Sequence, residues 1–155
     1  MKEWNFKVKS NPREISAKLE DALGPANGFV FNMDESINNS ITFKIRKRIL
    51  YAWYLIFSNN IIVNGKLLKT DIENVTDVKI SFTQHFLMVL VVFTNIIFGL
   101  GLLIAMISGI INNTSIYVIG GIFLIFGISL WFIIKNRFDS KAQEYQELIS
   151  GVLEL

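Results

Sequence analysis

Lys44, Arg46, Lys47 and Arg48 form the densest cationic cluster in the chain, within the run ITFKIRKRILYAWYLIF. In an extended backbone alternate residues share a side, so Lys44, Arg46 and Arg48 project together, with Lys47 adjacent. Such a set can hold anionic lipid headgroups or an acidic partner, each cation contributing about 1 kcal/mol close to an anionic surface. The competing reading is a solvated strand face whose charges discourage edge pairing. A nucleic-acid partner is not expected, because the cluster is short and the net charge is only +2.

Other reactive side chains are sparse. His85 is the sole histidine; its ordinary pKa lies near neutrality, which suits pH sensing, but no second ligand-type residue adjoins it, so a polar anchor at a membrane boundary is the simpler role. Asp71, Glu73 and Asp77 form an acidic patch, and carboxylate pairs can do acid–base chemistry. A turn rich in Asp, Asn and Thr needs no such explanation. Trp4, Tyr51, Trp53 and Tyr54 can line a cavity for an apolar ligand or serve as core. With no cysteine, thiolate catalysis and disulfides are excluded. No Ser-His-Asp spacing, phosphate-cradling glycine loop or metal-ligand cluster is present, so neither an enzyme nor a cofactor or metal site is expected.

The elements that position these residues follow from an uneven charge distribution. From Lys79 to Lys135 no Lys, Arg, Asp or Glu intervenes, while the whole chain is 52% hydrophobic. Crossing a hydrocarbon layer of ~30 Å takes roughly 20 helical residues. Residues 86–111 and 116–134 meet that length, predicting a transmembrane hairpin over 86–134 with a turn at 112–115. Asn112 and Asn113 each begin an N-x-[ST] triplet, but so close to a bilayer they are expected to act as turn residues only. Lys135 and Arg137 after the second span, and the cations before the first, place both termini in the cytoplasm by the positive-inside rule. The charged N-terminal stretch MKEWNFKVKSNPRE lacks the apolar core of a secretion signal. Gly101, Ala105 and Gly109, with Gly120 and Gly127 in the second span, are the expected positions of close helix packing, within the hairpin or between copies. Asn95, beside Thr94, is the strongly polar residue in the first span, able to join helices by a hydrogen bond or to line a polar path.

Residues 1–85 predict an α+β domain. WNFKVK alternates as a strand; SNPREISAKLEDALG predicts a helix with Ser10 or Asn11 as cap, Pro12 in its first turn and Gly24 as its stop. Phe29 and Phe31 mark a short strand before a polar linker, DESINNS. The run 41–57 is one bent strand or two, Asn64-Gly65 suits a tight turn or bulge, and Val78, Ile80 and Phe82 alternate in a last strand. Residues 135–155 predict an amphipathic helix capped by Asp139 or Ser140 and packing on the first domain through Ala142, Tyr145, Leu148, Ile149, Val152 and Leu153. The expected fold is therefore an antiparallel sheet with one or two packed helices, plus a two-helix transmembrane hairpin.

Gly65, Thr76, Val78, Ile80, Phe82, His85 and Phe86, leading into the hairpin and a final helix, give residues 61–150 a pattern that resembles small uncharacterised bacterial membrane proteins. In these a strand-rich N-terminal domain precedes two transmembrane helices. The resemblance implies an architecture at the inner membrane and no catalytic residue. The functional expectation is a membrane-anchored noncatalytic interaction module, with the lipid bilayer and a protein partner or second copy as partners. The rival is an apolar-ligand or lipid-binding sensor or carrier domain tethered to the membrane.

Overall fold

The fold comes from a computed structural model, which describes residues 2–24, 28–36, 40–48, 61–70, 74–110 and 113–155. Five strands, β1 (Lys2–Val8), β2 (Phe29–Ser36), β3 (Ser40–Lys47), β4 (Ile61–Lys69) and β5 (Thr76–Gln84), form one antiparallel sheet in the order β1-β5-β4-β3-β2. Three helices complete the described elements: α1 (Pro12–Leu23), α2 (Phe86–Ile107) and α3 (Thr114–Leu153). The chain divides into two compact units, Met1–His85 with Asp139–Leu155, and Phe86–Phe138.

In the first unit, period-two alternation sets the burial. Ile41, Phe43 and Ile45 of β3, Ile61, Val63 and Leu67 of β4, and Val78, Ile80 and Phe82 of β5 are all buried on one face. The helix α1 adds Ile15, Leu19 and Leu23, at helical spacing. Asn11 is its N-cap: the side-chain carbonyl accepts from the Glu14 backbone N–H at 2.9 Å, while the Ser10 hydroxyl donates to the Glu14 carboxylate at 2.5 Å. Buried Thr76 ties β5 to this corner, donating to the Ser10 carbonyl at 2.6 Å. The end of α3 buries Ala142, Tyr145, Ile149 and Leu153 in the same unit, with Tyr145 edge-on to Phe29 at 6.2 Å.

Three local expectations are corrected. Asn64-Gly65 makes no turn; Gly65 lies in the middle of β4, opposite Phe43 on β3. A Cβ there would overlap the Phe43 ring, so the glycine makes room for an aromatic that also stacks on Phe31 at 5.9 Å. The residues DES are not linker, since β2 continues through Ser36 in register with β3. No cap interrupts the chain at Asp139 or Ser140: the second apolar segment and the amphipathic segment form one helix of 40 residues. Lys135 to Ser140 change polarity but include neither Gly nor Pro, so nothing there breaks the backbone ladder. The expected strand over 41–57 is seen to Lys47, and Tyr51, Trp53, Tyr54, Asp71, Glu73 and Asn112 lie outside the described residues.

The second unit holds two apolar helices long enough to cross a membrane: α2, about 33 Å at 1.5 Å per residue, and the apolar part of α3. Only 17% of the most apolar window of either helix is buried. The two run antiparallel, Phe93 meeting Trp131 edge-on at 6.4 Å and Phe98 meeting Phe123 at 5.0 Å. The close approach uses Gly99, where a Cβ would lie 2.9 Å from the Gly120 carbonyl oxygen, and Gly127, where it would lie 2.8 Å from Ile96 Cγ1. Gly120 and Gly127 thus sit at the seam, whereas Gly101 faces open space and Ala105 is half-buried. Gly109 is not in the helix. It takes φ +74° as the left-handed residue of a terminal cap, its N–H bonding the Met106 carbonyl and that of Ile110 the Ala105 carbonyl. At the start of α3, Asn113 accepts from the Ser115 backbone N–H at 3.0 Å.

Candidate functional site

The face of the sheet opposite the core collects the polar alternates of every strand. Antiparallel register aligns them in two rows that cross all five strands: Glu3, Ser81, Asn64, Lys44 and Asn32, and beside it Asn5, Lys79, Lys66, Thr42 and Asp34. Together they line an open trough of about 620 Å³, to which Met33, Phe43, Gly65 and Ile80 also contribute. A third row adds Thr83, Ile62 and Arg46.

Charge on this face is unevenly compensated. Lys7 pairs with Asp77 at 3.7 Å across β1 and β5. Among the described residues, Lys44, Arg46, Lys66 and Lys79 form no ion pair. Lys66 and Lys79 are directly opposed on the two neighbouring inner strands β4 and β5, a like-charge juxtaposition that opposes folding. Lys44 lies diagonal to Lys66, so three cations occupy adjacent inner strands. The carboxylates Glu3 and Asp34 sit on the two edge strands. Asn64 donates to Thr83 Oγ1 at 3.3 Å, holding its amide in the surface.

His85 follows β5. Burial first, then the positive fields of Arg46 and Lys44, hold its imidazole below the ordinary value of 6.5. The charges that act on His85 are thus those of two β3 cations on the polar face. Lys47 lies on the other parity of β3, and its backbone hydrogen-bonds the Tyr145 hydroxyl; Arg48 follows the strand, its backbone N–H donating to the Gly28 carbonyl at 2.9 Å. Of the expected cationic cluster, Lys44 and Arg46 share the polar face.

Lys66 and Lys79 were not singled out by sequence reasoning, because each is an ordinary outward lysine until register places one against the other. The remaining candidates stand apart from this face. Asn95 donates to the Val91 carbonyl of its own helix at 2.7 Å, and its Cβ lies beside Gly127. Trp4 is half-buried on the core side of β1, 4.2 Å from Phe6. Among the described residues no group of three His, Cys, Asp or Glu side chains is placed to hold a metal ion. Comparisons with protein families, with curated proteins and with solved structures find no match.

Proposed function

We propose that this chain is a membrane-anchored, noncatalytic binding module, in which the helical hairpin fixes the α+β unit at a bacterial inner membrane with both termini in the cytoplasm. One observation carries the reading: two helices of membrane-spanning length leave over four-fifths of their most apolar windows uncovered. Exposed in water, that surface would be strongly unfavourable, at roughly 25 cal/mol per Å² of apolar area. Lys135 and Arg137 after the second apolar segment, and the cations preceding the first, support the orientation.

The α+β unit supplies the binding surface. The pocket lined by Lys44, Lys66 and Lys79 on its polar sheet face supports recognition at that face. Alkaline carbonate extraction of membranes containing the full chain tests the anchoring. The chain is expected to stay in the pellet and to be released only by detergent. Recovery in the carbonate supernatant would overturn the reading.

A further inference from the structure

We propose that the trough on the polar sheet face binds a small soluble phosphate ester bearing hydroxyl groups, its phosphate held by Lys44, Lys66 and Lys79. The inference rests on reading this face as the module's binding surface and names the ligand class. Its first support is the opposition of Lys66 and Lys79 on neighbouring inner strands, with no carboxylate paired to either among the described residues. Like charges directly across a sheet destabilise it; an anion between them reverses the sign of that interaction. Lys44, diagonal to Lys66 on the next strand, gives the anion a third donor.

The pattern around these lysines selects the kind of anion. Glu3 and Asp34 close the two rows at the edge strands, where a carboxylate repels phosphate but accepts hydrogen bonds from hydroxyls. A polyanion laid across the sheet, whether nucleic acid, acidic peptide or an anionic bilayer surface, would meet both carboxylates. A compact ester places one charged group centrally and neutral hydroxyls outward, matching the order of charges. At about 620 Å³ the trough has the size of a small-molecule site. Asn5, Asn32, Asn64, Thr42 and Ser81 can hydrogen-bond hydroxyl groups there, while Met33, Phe43 and Ile80 also line the trough, so a sugar or polyol, with hydroxyls at its rim and an apolar ring face, fits the lining.

His85, the sole histidine, follows the end of β5 and feels the charges of Lys44 and Arg46, so it reports on occupancy. A phosphate near Lys44 offsets part of the positive field on the imidazole, so the histidine pKa rises when the site fills. The amount is read from the proton resonances of one ring.

Isothermal titration of the full chain in nanodiscs of neutral lipid, with glucose 6-phosphate, inorganic phosphate and glucose as probes, tests the proposal. Glucose 6-phosphate is expected to bind more tightly than inorganic phosphate, and glucose not to bind. Lys66→Gln should weaken the ester about tenfold or more, the effect of one lost charge-assisted hydrogen bond, whereas Lys66→Arg should largely retain it. Asp34→Asn, with Glu3→Gln, should erase the preference for the ester over inorganic phosphate. Failure of the ester to bind, equal binding by wild type and Lys66→Gln, or no preference for the ester would each overturn the assignment. Protection of Lys66 from acetylation by phosphatidylglycerol vesicles but not by the ester would replace the ligand with a headgroup. A protein partner crosslinked specifically through position 66, with no response to the ester, would overturn the ligand class while leaving the binding-module reading intact.

Discussion

Gly65 and Phe43 show how one residue type can be required by a neighbour far away in sequence. The ring of Phe43 occupies the space in which any β-carbon at position 65 would stand, so Gly65→Ala must move a buried aromatic and its stacked partner Phe31. We expect a loss of about 1–3 kcal/mol, typical of overpacking, measured by denaturant unfolding of the full chain in detergent. Asn11→Ala should cost about 1 kcal/mol by removing the helix cap. Two titrations bound the pH range of stability. Burial, then the charge of Glu144, pushes the Tyr145 hydroxyl up to about 12, against a smaller opposing effect of the hydrogen bond with the Lys47 backbone. Since the unfolded phenol ionises first, near its ordinary value of 10.0, stability falls as pH rises from there towards about 12, and Tyr145→Phe should abolish that fall. His85 has the opposite sense: its folded pKa lies below 6.5, so the unfolded chain takes up the proton first. Stability present above that pH is lost as pH drops through it, and a melting-temperature series across both ranges checks the two signs.

At the scale of elements, the hairpin separates glycines that the sequence groups together. Gly127→Leu should disrupt the seam by about 1–3 kcal/mol, while Gly101→Leu, which meets nothing within 4 Å, should leave the isolated hairpin's packing unchanged. Thermal unfolding of both variants in detergent distinguishes them; equal effects would contradict the assigned seam. Asn136→Pro should break α3 where its polarity changes and cost about 3 kcal/mol. Alternation in WNFKVK and VKISF, the Asn11-Pro12 helix start and the apolar spans were legible because each is a local signal. Gly65 was not, since Asn-Gly is a hairpin signal and the ring that demands glycine comes from another strand. DES resembled a linker because an edge strand needs few apolar residues. Gly109 fell into an apparent small-residue stripe because four-residue spacing cannot distinguish a helix face from a helix cap. The lysine trough was illegible for a related reason: alternation tells which side Lys66 and Lys79 face, but only strand register sets them opposite each other.

At the scale of the whole molecule, a charge-free stretch from Phe86 to Ile134 follows an α+β unit whose polar sheet face carries lysines that form no ion pair among the described residues. The central proposal is that lipid surrounds the two apolar helices, with their connection outside the cytoplasm and both termini within it. A chain without cysteine allows a direct test, with Ser115→Cys at the connection and Ser140→Cys on the long helix, both exposed positions. Each full-length single-cysteine chain is expressed in bacterial cells and labelled with a membrane-impermeant maleimide. The account predicts that Ser115→Cys reacts in intact spheroplasts, while Ser140→Cys reacts only after the membrane is opened. Labelling of both from the same side would contradict it.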